Sequence, residues 1–254
     1  MISDSKQDRL RTILQKEFLV NSGVFSAVDP EIVTVMESNG EYAYGGLSEN
    51  YTGDIDSLLS VSAFGGAGPR EDALGASLYS TQRGVRVDEV IGYHLSLGAG
   101  YATDEETRMH GSSGGMTTWL LCELMRRDEI DAVIHMKPGE DGALFSYQIS
   151  RSIEEVRNGA KSRYYPGELS QVLSAVESGP PLRYAIVGIP SFIYEVRLLQ
   201  RLRTTFADRI LFCIGLIAGH QKTAHYTTYL ASHAGLQNDM IRSVDYRKKV
   251  PGLP

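Results

Sequence analysis

YAIVGIPSFIYEVRLLQRLRTTFADRILFCIG, residues 184–215, decides the fold. Tyr184 to Gly188 is a short apolar run with the pattern of a buried strand. Pro190 suits the first helical position, because it has no N–H to waste there and its φ is already helical. Phe192, Val196, Leu199 and Leu202 then recur at helical spacing on one face. Arg209 to Ile214 is the next apolar run. Strand, helix and strand within about thirty residues predict a parallel pair joined by a right-handed crossover. Ligands of such sheets gather beyond the carboxyl ends of the strands, here Gly188-Ile189-Pro190-Ser191 and Gly215 to His220.

Upstream, RMHGSSGGMTTWLLCELMRRDEIDAVIHM (108–136) sets a second unit against the first. Gly111-Ser112-Ser113-Gly114-Gly115 opens into a helix whose face is read as Met116, Trp119, Leu120 and Leu124. Ala132-Val133-Ile134 follows as a short buried strand, and residues 143–149 as its partner. A glycine turn feeding a helix leaves N–H groups unpaired and suits a phosphate. Close backbone packing alone also accounts for the glycines.

The remaining segments are simpler. Helices are expected over 8–19, 152–158, 169–176 and 223–233, and strands over 32–35, near Tyr42, over 85–93 and over 240–244. Tyr101 to His110 reads as an acidic lead-in loop. Residues 20–69 hold few large apolar side chains for their length, so something other than an oil core is expected to hold them. The domain division that follows is residues 1–84 and 85–254.

Composition narrows the function. A net charge of −6 over 254 residues argues against nucleic acid, which demands a basic face. No apolar run approaches the roughly 18 residues of a membrane span, and the polar start MISDSKQDRL is no secretory signal. A cytoplasmic protein is expected. Cys122 and Cys213, the only cysteines, lie in apolar segments and cannot by themselves ligate a cluster or structural zinc. The six histidines make no helical metal-ligand pair with a nearby acid, so no metal is expected.

The motifs leave alternatives open. Gly111-x-Ser113-x-Gly115 satisfies the nucleophile elbow of α/β-hydrolases, with Ser113 as nucleophile, but ATDEETRMH before it makes a poor strand. The common dinucleotide and triphosphate loops are absent. His220 and Lys222, just past a strand end, can meet an anion or a flavin edge, or be ordinary loop residues. Lys161-Ser162-Arg163-Tyr164-Tyr165 can clamp a phosphate or stack on a ring, or be a solvated turn.

Taken in order, Asp88 to Tyr93, Arg108 with Gly111 to Gly115, Asp131 to Ile134, Lys161 to Tyr164, Val187 to Ser191, Gly215 to His220 with Lys222, and Asp245-Tyr246-Arg247 resemble the beta-subunit family of coenzyme F420 hydrogenases and dehydrogenases. That family consists of flavoproteins and includes a chlorophyll-pathway reductase. The resemblance implies a ferredoxin-like N-terminal segment followed by an α/β domain with a parallel or mixed sheet flanked by helices. It implies FAD, with the pyrophosphate near Arg108, Gly111, Ser112, Ser113, Gly114 and Gly115. Lys161, Ser162, Arg163, Tyr164, His220 and Lys222 would neighbour the flavin. A reduced nicotinamide or deazaflavin is the implied electron donor, and a partner oxidoreductase subunit or a second copy the implied partner.

The departures are systematic. The family's cluster cysteines align with Leu19, Ser22, Phe25 and Ser62, and two later ones with Ser191 and Ala218. Serine and alanine do not replace thiolate at iron, so a cluster-free segment is expected. Family members also continue past Pro254, making this chain a short member or a fragment. The expectation is an FAD-dependent oxidoreductase transferring hydride without clusters. A non-catalytic structural or regulatory subunit is the alternative, and a serine hydrolase the third.

Overall fold

The structure is a computed structural model that describes residues 5–15, 20–139 and 143–249. The chain begins with helix α1 (Lys6–Gln15) and the short helix α2 (Val24–Val28), then the hairpin β1 (Thr34–Met36) and β2 (Tyr42–Tyr44). Helices α3 (Ile55–Val61) and α4 (Glu71–Tyr79) lead to a second hairpin, β3 (Arg86–Asp88) and β4 (Gly92–His94). Helices α5 (Glu105–His110) and α6 (Met116–Arg126) precede strands β5 (Ala132–Pro138) and β6 (Phe145–Ser150). Then come α7 (Ile153–Asn158), α8 (Ser170–Ser178), β7 (Tyr184–Gly188), α9 (Pro190–Leu202), α10 (Thr204–Arg209), β8 (Ile210–Gly215) and α11 (Ala224–His233).

The main sheet has the order β6-β5-β7-β8. Strand β5 runs parallel to β7, and β7 parallel to β8, while β6 returns antiparallel to β5. The fold is therefore α/β with a mixed sheet flanked by helices. The alternation of side chains along β5 and β7 builds both cores. Ala132, Ile134, Tyr184 and Ile186 face a cluster formed with α8, α9, α10 and the N-terminal elements. Val133, Ala185 and Val187 face Leu121 and Cys122 of α6 and Val156 of α7. Side-chain bonds close the ends of these helices: Arg209 Nη1 reaches the carbonyls of Val176 and Gly179 at the end of α8. Buried Gln200 donates to the Ile210 carbonyl at 2.7 Å and so fixes where β8 begins.

Several local expectations change. Residues 85–93 form two short strands about a turn, because the Asp88 carboxylate accepts from the Val90 and Ile91 amides and folds the chain back. The expected loop before the glycine turn contains α5, capped by Asp104 accepting from the Thr107 amide at 3.0 Å. Helix α6 turns Leu121 and Cys122 inward and leaves Met116 and Leu120 exposed, since α7 packs on that side. Residues 240–244 are no strand; a single 3-10 turn at Asn238–Met240 stands there.

The largest difference lies in residues 20–69. Val24, Phe25, Ile32, Leu58, Leu59 and Val61 are buried, and they join the same cluster as Leu173, Val196 and Leu199. The segment is held by apolar docking onto α8 and α9, with Phe25 stacked on Tyr44 at 4.8 Å. Few large residues suffice because they pack on the neighbouring helices as well as on one another. One hydrophobic cluster thus runs across residue 84.

Candidate functional site

The glycine turn is shaped by contact with its own flanks. The Gly111 amide donates to the Thr107 carbonyl at 3.0 Å. Gly115 has φ +74°, and a Cβ there would lie 2.8 Å from the Thr107 oxygen. A Cβ on Gly111 would meet Gly115 Cα at 2.9 Å, and one on Gly114 would meet Tyr101 at 3.1 Å. Close packing therefore requires these glycines. The same geometry delivers Gly115 as the N-cap of α6 with no side-chain cap, so the first amides of that helix remain available to an acceptor.

The carbonyls of the turn are occupied instead. Lys249 Nζ donates to the carbonyls of Arg108 at 2.5 Å and Ser113 at 2.7 Å. The Gly114 carbonyl accepts from the Ala102 amide at 2.7 Å. A cation seated on the carbonyl side makes the surroundings of the turn more positive. Arg108 lies over the Tyr101 ring at 5.2 Å.

Ser112 Oγ accepts from the Ser162 amide at 2.7 Å and so joins the turn to the Lys161 segment. Lys161 has a left-handed φ of 97° and pairs with Asp245 at 3.1 Å. Burial pushes the Asp245 carboxyl up, but the Lys161 ammonium and the Arg247 amide outweigh it, so it lies below its usual value. Arg163 donates to the Ala160 carbonyl and lies over Phe145 at 5.0 Å. Its Nε is buried without a hydrogen-bond partner among the described residues, and burial holds the guanidinium below its usual value. Tyr164 meets Tyr246 edge-on at 5.5 Å, and Tyr226 lies nearly parallel to Tyr246 at 6.3 Å. Lys222 sits over the Tyr226 ring at 5.0 Å.

Most of the residues singled out from sequence therefore meet. Gly111 to Gly115 and Lys161 to Tyr164 touch directly, and Lys222 reaches them through Tyr226 and Tyr246. His220 is exposed in the loop after β8 and makes no hydrogen bond to the others among the described residues. Lys249 was not legible, because a lysine in an aperiodic tail carries no sequence signal. Ser113 is exposed and is preceded by α5 rather than a strand, so the elbow geometry is missing.

A cavity of about 510 Å³ opens between α5, α6 and α7 beside this cluster. Thr107, His110, Thr118 and Ala160 line it together with Glu106, Glu154 and Arg157. The two acids make it a poor seat for a phosphate, and the glycine turn itself lies outside its wall. Arg157 Nε, like Arg163 Nε, is buried with no partner. Among the described residues no group of three His, Cys, Asp or Glu side chains is placed to hold a metal, and no helix is long and apolar enough to cross a membrane.

An α/β protein with a mixed sheet and a cationic, aromatic cluster beside a helix N-terminus is what the fold and site define. Family profiles then match residues 98–174 to the coenzyme F420 hydrogenase/dehydrogenase beta subunit N-terminal region and residues 182–251 to its C terminus. Together they take in more than half the chain, and it belongs to this family of oxidoreductase subunits. Among solved structures, a chain of the xenon-derivatized F420-reducing NiFe hydrogenase complex from Methanosarcina barkeri matches with a TM-score of 0.50 at 18% identity. The match covers 58% of this chain and 53% of that one, so this protein spans about half the length of the solved chain. The likeness is one of fold. No curated protein matches.

Proposed function

We propose that this protein is an FAD-dependent oxidoreductase subunit that passes hydride equivalents without iron–sulfur clusters. The observation that carries the proposal is the meeting of the uncapped α6 N-terminus with Lys249, Arg108 and the Lys161–Tyr164 segment. Helix amides and fixed cations together suit a pyrophosphate. The partnerless Arg163 Nε is a further donor waiting for an acceptor. When bound, FAD supplies two-electron chemistry with a reduced nicotinamide or deazaflavin.

The chain's own residues do the rest. The amides of Ser112 to Gly115 and the first turn of α6 hold the phosphates. Ser162 and Ser112 lock the two segments together. Tyr164, Tyr226 and Tyr246 would exclude water and offer ring faces, and Lys222, with His220 in the same loop, would stand ready to balance negative charge there. At the aligned cluster positions Ser22, Phe25 and Ser62 offer no thiolate, and neither a serine hydroxyl nor a phenyl ring replaces one at iron; Leu19 lies outside the described residues. The N-terminal residues 1–84 then serve as a docked layer on the flavin-binding part, 85–254. The solved relative is part of a hydrogenase complex by its description, and we place this chain likewise beside a partner oxidoreductase subunit, in the cytoplasm.

Titrating the full chain with FAD tests this. Bound flavin should show absorbance bands near about 375 and 450 nm and quenched fluorescence. A colourless protein that leaves added FAD free would overturn the reading and favour a structural subunit.

A further inference from the structure

Glu195 is the one acid among the buried side chains of the described residues, 5% exposed in the middle of α9, and the site above makes no use of it. Its two oxygens engage two separate N-terminal segments. Oε2 accepts from the Ser22 hydroxyl, and Oε1 accepts from the Ala63 amide at 3.0 Å. Ser22, fully buried, also accepts from the Val24 amide at 3.1 Å, and the neighbouring Gly23 amide donates to the Tyr44 hydroxyl at 2.9 Å. The loop before α2 and the end of α3 are thus both pinned to α9 through one carboxyl group.

Among the described residues no cation pairs with that carboxyl. The groups around it are the Ser22 hydroxyl, the Ala63 amide, and the phenols of Tyr44 and Tyr194. Both phenols are held above their usual value, by burial first and then by Glu195 among other acids, so they are neutral. A buried carboxylate with two neutral donors and no counter-charge is costly, because lost hydration is only partly replaced. A protonated carboxyl suffers much less, and Ser22 can serve it in either role, as donor or acceptor.

We propose that Glu195 is a proton-operated latch: protonated, it holds the Ser22 and Ala63 segments on α9, and its ionisation loosens them. Burial pushes its pKa up to about 7, the Ser22 and Ala63 bonds pulling back only in part. The latch therefore works in the neutral range. Because the folded value lies above the ordinary 4.5, the N-terminal layer is held firmly in acid. It loosens as pH rises to about 7 and changes no further above that. Between those limits the opening equilibrium should grow by up to about tenfold per pH unit.

The test is limited proteolysis of the full chain from pH 5.5 to 8.5, reading cleavage within residues 20–69, with Glu195→Gln in parallel. The glutamine keeps shape and one acceptor but cannot ionise. Cleavage of the native sequence, relative to the variant, should rise at least tenfold over this range. Identical pH profiles for the two proteins would overturn the proposal. Should Glu195→Gln fail to fold, Ser22→Ala provides the second arm. Removing a donor to the carboxylate raises the folded pKa, so loosening should continue to higher pH before it levels off, and an unmoved profile would count against the latch.

Discussion

Two polar clusters use the same chemical groups to opposite ends. Around Glu195, a carboxyl, the Ser22 hydroxyl and the Ala63 amide close on one another in the interior, with no cation bonded to the carboxyl among the described residues. At the glycine turn, serines, amides and the Asp245 carboxylate meet Arg108, Lys161, Arg163 and Lys249 at a half-exposed surface, and Arg163 Nε has no partner among the described residues. Internal satisfaction makes the first cluster a fastener. Leftover donors and surplus positive charge are what the proposed anion site rests on. The difference lies in solvent and counter-charge, not in residue type.

Breaking the buried cluster should have the largest effect. Its acid has a folded value of about 7 against an ordinary 4.5, so its contribution to stability is whole below 4.5 and gone above 7. Chemical denaturation should show a loss of about 3 kcal/mol on raising pH from 4.5 to 7.5. Glu195→Gln should flatten that slope, making the variant the more stable protein at pH 8.

A smaller loss follows at the turn. Gly115→Ala places a Cβ 2.8 Å from the Thr107 oxygen at φ +74° and should cost about 1–3 kcal/mol in thermal or denaturant unfolding. It should also displace the first amides of α6 and weaken FAD. Lys249→Ala separates binding from folding, since among the described residues its ammonium bonds the Arg108 and Ser113 carbonyls alone. Removing it should weaken FAD about tenfold, about 1.4 kcal/mol, with little change in melting temperature. Equal losses in both measurements would mean the tail is a structural strap. Lys6→Ala should do least: its ion pair with Asp56 is 68% exposed on both sides, and such pairs contribute about 0–1 kcal/mol.

The β7–α9–β8 unit was readable because apolar periodicity and Pro190 are local signals that burial on both sheet faces does not override. The glycine turn and the Lys161 segment were readable as motifs. Their contact through Ser112 and Ser162, fifty residues apart, was not. The inward face of α6 was misread for the same reason: Met116, Leu120, Leu121 and Cys122 are all apolar, and only the packing of α7 selects the last two. Glu195 did leave a trace. It sits three residues after Phe192 and four before Leu199, on the apolar stripe itself, where an acid is out of place unless it is partnered.

By itself the sequence determined the α/β class, the order of the main strands and helices, and the family. Period, capping and ordered motifs are properties of near neighbours in the chain. Tertiary structure alone decided that residues 20–69 are held by docking on α8 and α9 rather than by a centre of their own. It alone seated Lys249 on the glycine turn and left Glu195 buried without a counter-charge. Each of these depends on which distant groups share a small volume of low dielectric, and the strength of charge and hydrogen bonding is set there.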